Sequence, residues 1–426
     1  MKVAIIGAGC SGIAAVKELS QAGIQDIVCY EQNDRVGGNW IYSPSPSHSS
    51  VTRTTHIISS KKLSEYRDYP MPDDYPDYPS HSQVLAYFDG YADHFGVKPF
   101  IRFNTKVTRV VKSEFGQFLL WVDGATEAET FDYLIVSNGH HSVPRHIELP
   151  GHFSGEYLHA HDFKTNDRFV DRRILVIGGG NSACDCAVEC SRVAAHVSIS
   201  MRRPQYIVPK FMMGRPSDTF NDTLKYVPGR LAEKIRKISL ALQIGSYESY
   251  GLRTPDFPIT KDHPTVNSEL LYMLRHGKVT PRVGISKVED FTITFRDGTS
   301  GTFDTIIAAT GYKMATPFFE PDFLDYSDAD RVELYLRMFH PVHQQLIFVG
   351  LVQPQGSVWP LSEVQSKLAA NYILGKYTLP DDIQSLAESE ATKISSDFIP
   401  HKRHTVEVHF KPYIARLQAE LNKIAK

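Results

Sequence analysis

The 426-residue chain has no cysteine framework. Its five cysteines, Cys10, Cys29, Cys184, Cys186 and Cys190, are odd in number, and no two stand as Cys-x-x-Cys. That excludes a disulfide scaffold, a zinc knuckle and an adjacent redox pair. Cys186 and Cys190 are four apart and read as small residues packing one helix face. The chain also has no charge of one sign to spare. Forty-six Lys and Arg against 48 Asp and Glu leave a net charge of −2 without a long basic run. Nucleic acid or an anionic membrane as the main partner is excluded on that ground. Nowhere do eighteen apolar residues run together, so no membrane span is expected. The opening apolar run imitates a secretion leader only as far as Ile6, because Gly7, Gly9 and Gly12 break it after four residues, which suits a buried strand. A reduced, soluble, cytoplasmic chain is the expectation, with a homodimer left open.

What is present is ordinary globular material, 42% hydrophobic and 22% charged, in a length that exceeds one usual domain. A strand–turn–helix pattern occurs twice. The first copy is Val3-Ala-Ile-Ile-Gly-Ala-Gly-Cys-Ser-Gly12, the second Ile174-Leu-Val-Ile-Gly-Gly-Gly-Asn-Ser-Ala183. Each has a short β-branched run, a Gly-x-Gly-x-x-Gly/Ala loop and a helix-compatible segment. The fold class expected is α/β, with two Rossmann-like dinucleotide-binding domains. Residues 11–22 read as the first helix with Gly23 as its C-cap, 83–95 as a helix, and 101–111, 118–122 and 131–136 as strands. Residues 43–79 read as an irregular excursion, and 203–261, a mixture of Pro, Gly and aromatics, as a lid or substrate-access region.

The two loops differ in the residue that comes after their second strand. In the first, Gly7 permits the tight turn, Gly9 lets backbone approach a pyrophosphate, and Gly12 lets helix pack on strand. Glu31 comes 31 − 12 = 19 residues after Gly12, close to the ~20 of a ribose-binding acid. A carboxylate there accepts from ribose hydroxyls and repels a 2′-phosphate, which selects FAD or NAD. The loop Arg35-Val-Gly-Gly-Asn-Trp40 suits a backbone pressed against a flat ring system. In the second copy, Gly178, Gly180, Asn181 and Ser182 form the loop, and no acid follows the strand at 197–200. Arg202 and Arg203 stand there instead. Guanidinium groups bind a 2′-phosphate bidentately, which points to NADPH.

Between the loops lies Phe153-Ser-Gly-Glu-Tyr-Leu-His-Ala-His-Asp-Phe-Lys164. It matches Phe-x-Gly-x-x-x-His-x-x-x-(Tyr/Phe)-Lys at Phe153, Gly155, His159, Phe163 and Lys164. That pattern resembles the identifying motif of the flavin-containing monooxygenases. Ala309-Thr-Gly-Tyr312 resembles their second fingerprint, and the likeness runs from Met1 to about Asn371. The related Baeyer-Villiger monooxygenases usually carry Trp-Pro where this chain has Phe163-Lys164.

The resemblance implies FAD at the first loop, NADPH at the second, and the NADPH domain inserted in the FAD domain. It divides the chain as 1–168 and 304–426 for FAD, and 169–303 for NADPH with the access region. It implies an NADPH- and O2-dependent enzyme that oxygenates small soft nucleophiles through a C4a-hydroperoxyflavin: tertiary amines to N-oxides, sulfides to sulfoxides, and indole as an open case. FAD would be held by Gly7, Gly9, Ser11, Gly12 and Glu31. Asn39 and Trp40 would flank the flavin, Val107 would meet the adenine, and Gln353 and Gly356 would reach the ring from a helix start. NADPH would be held by Gly178, Gly180, Asn181, Ser182, Arg202 and Arg203. Many relatives carry Asn three residues before the Lys of a Ser-Lys pair, a position that is Ile58 when counted from Ser60-Lys61; His56 is the candidate for the polar group above the flavin. No metal is expected. The alternatives are a Baeyer-Villiger monooxygenase acting on ketones and a pyridine nucleotide-disulfide reductase. The second needs a cysteine pair that the chain lacks.

Overall fold

Short β-branched runs become the strands of two parallel sheets. The computed structural model describes residues 1–224, 227–399 and 405–424. The chain forms two compact units. Met1–Ile41, Lys61–Val143 and Lys313–Lys426 make the first; Tyr42–Ser60 and Pro144–Tyr312 make the second.

In the first unit Val3–Ile6 is the central strand, buried along its whole length. Ile27–Tyr30 and Tyr133–Val136 pair with it in parallel, and Ile101–Arg102 and Leu346–Phe348 extend the sheet on either side. A parallel sheet covered on both faces needs apolar side chains on both, which unbroken runs such as Val3-Ala-Ile-Ile6 supply. The crossover helix Cys10–Gln21 buries Ile13, Ala14, Val16 and Leu19. It closes where Gly23 takes φ +96° and its N–H returns to the Ser20 carbonyl, a left-handed ending that glycine tolerates. Trp359–Ile373 packs against this helix. The helix expected over 83–95 runs His81–His94, because Ser80 caps it in a reciprocal box with Gln83. The strand expected over 101–111 is two, Ile101–Arg102 and Val107–Lys112. Asn104 at φ +51° turns the chain between them.

The second unit repeats the plan. Its sheet runs Glu156–His159, Thr305–Ala308, Arg173–Ile177, His196–Ser200, Val279–Arg282, all parallel. The helix Asn181–Ser191 buries Cys184, Cys186 and Cys190 against it, and all five cysteines are free thiols. The units change at Val143/Pro144 and Tyr312/Lys313, not at 168/169 and 303/304. The reason is pairing: Glu156–His159 and Thr305–Ala308 are strands of the second sheet. The stretch after His196–Ser200, read as a lid or access region, contains regular structure. It holds the sixteen-residue helix Gly229–Ile244, bounded by Pro228 and by Gly245 at φ +78°. Among the described residues, no helix is long and apolar enough to cross a membrane.

Candidate functional site

At the first loop the glycines are needed for space. Gly7 has φ +98°, and a Cβ there would lie 2.7 Å from the Ser137 carbonyl oxygen. A Cβ on Gly12 would overlap the Gly7 carbonyl. The Arg35–Trp40 loop lies backbone to backbone on this turn: a Cβ on Gly38 would sit 3.0 Å from the Gly9 Cα, and Gly37 N–H donates to the Ala8 carbonyl at 3.1 Å. Helix Cys10–Gln21 starts without a side-chain cap, so its first-turn amides are left for an anion. The buried Ser137 hydroxyl beside it has no hydrogen-bond partner among the described residues. Uncapped amides, a steric cradle and an orphaned hydroxyl fit the diphosphate of a dinucleotide.

Glu31 is buried one residue past the strand Ile27–Tyr30. Its Oε2 accepts from Ala8 N–H at 2.7 Å, and its Oε1 accepts from the Asn33 backbone N–H at 2.9 Å and side-chain amide at 2.5 Å. The carboxylate therefore braces the glycine turn itself, with lone pairs remaining for a hydroxyl. Ser11, expected at the diphosphate, shares a 2.8 Å side-chain hydrogen bond with Ser362, which ties the two packed helices together. Trp40 ends the short turn Gly38–Trp40 and stands edge-on to Trp359 at 5.7 Å; Asn39 lies in the same turn. Val107 is buried and pairs with Val122.

Gln353 and Gly356 do not open a helix. Gln353–Pro354 is a strand paired with Glu407–Val408, and the Gln353 Oε1 lies 3.1 Å from His140 Nε2. Gly356, at φ +154°, lies on the Phe410 ring. The helix begins at Trp359, with Pro360 in its first turn, where a missing N–H costs nothing. A small cleft opens beyond the ends of Tyr133–Val136 and Leu346–Phe348, lined by Asn138, Met314, Thr316 and Phe348 among others. The carboxyl ends of parallel strands are where such sheets take ligands.

In the second unit Gly178 has φ +138°, and a Cβ there would overlap the Ala309 carbonyl. Gly180 is different. Its φ is −82°, and a Cβ would meet nothing within 4 Å. Packing therefore does not require glycine there. The helix behind it, Asn181–Ser191, again lacks a side-chain cap. Ser182 is exposed in its first turn. Asn181 is already engaged, since its Oδ1 accepts from Val266 N–H at 2.8 Å. Arg202 is exposed just past the strand His196–Ser200, and its carbonyl accepts from Arg253 at 2.8 Å. Arg203 is half-buried and held by neighbours. Of the two arginines, Arg202 is the exposed one.

The twelve-residue motif is a clasp inside this unit. Lys164 is buried and donates its ammonium to the Ser49 carbonyl; burial lowers its pKa. His161 Nε2 donates to the Ser47 carbonyl at 2.6 Å. Arg53 N–H donates to the Lys164 carbonyl at 2.9 Å, and its guanidinium forks onto Asp167 at 3.0 and 3.1 Å. Phe163 stacks on Phe169 at 5.5 Å. Gly155 leaves room for the Asp304 carbonyl, which a Cβ would approach to 2.6 Å. His159 accepts the His161 N–H at 3.1 Å. Burial, then the nearby imidazoles, push its pKa down to about 4. His56 sits in the clasped segment, exposed, with Nδ1 2.9 Å from the Thr54 carbonyl; Ile58 is half-buried. Ser362, Gln205, Thr265 and Val266 carry contacts to the two loops that no sequence signal announces, because each comes from far along the chain.

Two parallel sheets, each ending in an uncapped helix behind a glycine turn, one backed by a buried carboxylate and the other by an exposed arginine, place the chain among the proteins with two Rossmann-like dinucleotide-binding units. Comparison with known proteins narrows this. The chain belongs to the flavin-binding monooxygenase-like family, which it matches over residues 1–425. Flavin-containing monooxygenase 5 of Oryctolagus cuniculus is 34% identical over 430 residues, spanning 95% of this chain and 80% of that one. S-allyl-L-cysteine S-oxygenase from Allium sativum superposes with a TM-score of 0.74 at 24% identity, covering 99% of this chain and 88% of that one. Cyclohexanone monooxygenase from Rhodococcus sp. Phi1, bound to NADP+, superposes with a TM-score of 0.72 at 17% identity, covering 99% and 97%. The two superpositions establish the fold. Membership of the family makes the protein an NADPH-dependent flavin monooxygenase that uses FAD.

Proposed function

We propose that the enzyme transfers one atom of O2 to small soft nucleophiles, taking tertiary amines to N-oxides and sulfides to sulfoxides, while the other atom leaves as water. Indole is a further candidate. FAD, reduced by NADPH, supplies the oxygen activation. The chain binds and orients. Gly7, Gly9 and Gly12 with the first-turn amides hold the FAD diphosphate, Ser11 supports them through the helix, and Glu31 takes the ribose. Asn39, Trp40, Gln353 and Gly356 surround the ring, and Val107 meets the adenine. Gly178, Gly180 and Ser182 hold the NADPH diphosphate, with Asn181 shaping the loop. Arg202 takes the 2′-phosphate, with Arg203 in support.

The observation that carries the choice of nucleophile is Lys164. Its buried ammonium holds the Ser49 carbonyl, a contact that the proline of the Trp-Pro pair in ketone-oxidising relatives cannot make. Product analysis tests this. Purified enzyme with NADPH and oxygen is given methyl phenyl sulfide, N,N-dimethylaniline and cyclohexanone in parallel. Sulfoxide and N-oxide are expected to exceed lactone by at least tenfold. Lactone as the main product would replace this reading with the Baeyer-Villiger one.

A further inference from the structure

The second glycine loop is gripped from outside its own fingerprint, by both ends of the excursion that comes after the arginine pair. At the near end, Gln205 packs its side chain on Gly179, where a Cβ would lie 3.3 Å from its Cγ. At the far end, Thr265 Oγ1 donates to the Gly179 carbonyl at 2.8 Å and lies 3.2 Å from Gln205 Oε1. The next residue, Val266, donates its N–H to Asn181 Oδ1 at 2.8 Å. Asn267 donates to Asp185 Oδ1 at 2.8 Å, one helical turn further on, and its own Oδ1 accepts from Glu269 and Leu270 N–H at 2.9 and 2.7 Å. The two ends pair as short parallel strands, Ile207–Val208 with Thr265–Val266. Thr265 is buried to 1% exposure.

The geometry assigns Thr265 as a positioning residue for coenzyme binding, with Gln205 and Asn267 in support; this rests on the proposed placing of NADPH at Gly178, Gly180 and Ser182. A carbonyl oxygen and the following N–H belong to one rigid peptide plane and point opposite ways. Anchoring the Gly179 carbonyl therefore aims the Gly180 N–H away from Thr265. Because the same hydrogen bonds close the base of the excursion, a coenzyme that stabilises the loop also stabilises the excursion. Linkage makes that effect reciprocal.

The test uses the flavin-loaded enzyme, with NADP+ as probe. Thr265→Val keeps the shape and removes the donor; Thr265→Ser keeps the donor. Loss of one net hydrogen bond is worth about a fivefold change in affinity. NADP+ is expected to bind Thr265→Val about fivefold more weakly and Thr265→Ser nearly as wild type. The Michaelis constants for NADPH and NADH should rise by the same factor, since the peptide plane is blind to the 2′-phosphate. NADP+ should slow tryptic cleavage between residues 210 and 261 in wild type, and protect Thr265→Val only at correspondingly higher concentration. If NADP+ leaves cleavage of the wild type unchanged, or if Thr265→Val binds and is protected as wild type while Gly180→Ala loses NADP+ binding, the positioning role is overturned. If neither Gly180→Ala nor Thr265→Val weakens binding, the coenzyme does not use this loop, and the placing of NADPH falls with it.

Discussion

Glu31 accepts three hydrogen bonds, two of them at backbone N–H groups of Ala8 and Asn33. A charged acceptor contributes about 1.5–3 kcal/mol per bond, and its removal strands buried donors. Glu31→Ala should therefore lose FAD by more than tenfold and also lower Tm in the flavin-free protein. The flavin-to-protein absorbance ratio and a thermal melt check both; full flavin occupancy with unchanged Tm would count against it. His159 makes a pH prediction. Its pKa falls from 6.5 to about 4 on folding, so the neutral ring is the folded form. A depressed histidine stabilises fully above the unfolded value of 6.5, and that stability drains away as pH falls toward 4, where the unfolded chain binds the extra proton. His340 shifts in the same direction, so the wild-type slope alone does not isolate His159. Tm of His159→Asn against wild type should converge between pH 6.5 and 4; a constant gap across that range would show that His159 does not titrate there.

At the scale of elements, the clasp on Tyr42–Ser60 and the helix Gly229–Ile244 show how far local pattern reaches. The clasp uses one buried ammonium, one imidazole and one forked ion pair to hold an otherwise irregular segment. The exposed Arg53–Asp167 pair contributes little on its own. The buried Lys164 bond contributes about 1.5–3 kcal/mol. Lys164→Met should accordingly raise the rate of tryptic cleavage at Arg53 by tenfold or more, with Lys164→Arg partly restoring protection; equal cleavage in all three proteins would remove Lys164 from the clasp. The helix Gly229–Ile244 escaped pattern reading because its flanks are rich in Pro and Gly. Those residues bound it at Pro228 and Gly245 and do not interrupt it.

For the whole molecule, binding is stability. A ligand that binds only the folded state adds RT ln(1 + [L]/Kd), about 2.7 kcal/mol at a hundredfold excess over Kd. NADP+ should raise Tm of the flavin-loaded enzyme in a concentration-dependent way, and NAD+ much less. Arg202→Ala should abolish most of that difference while leaving the NAD+ effect alone; Arg203→Ala, already engaged elsewhere, should change it less. A thermal-shift titration of the three proteins decides it, and an equal loss with both coenzymes would show that Arg202 does not meet the 2′-phosphate.

Nearest neighbours along the chain set the features legible in the sequence. Two β-branched runs, two glycine turns and two helices were legible because strand, turn and helix each depend on a few adjacent residues. Glu31 and Arg202 could be picked out as candidates because each comes just past the second strand after its own loop. Whatever depends on residues far apart was settled only when the chain folded. Folding put Glu156–His159 and Thr305–Ala308 into the second sheet, since strand pairing has no local signature. It turned Ser11 toward Ser362, 351 positions away. It moved the helix start past Gly356 to Trp359, because a strand pair with Glu407–Val408 claims Gln353 first. It also committed the charge of the motif's Lys164 to the Ser49 carbonyl, and set Thr265 against the second glycine turn. A buried donor must find an acceptor wherever the fold brings one, and no spacing in the chain records where that is.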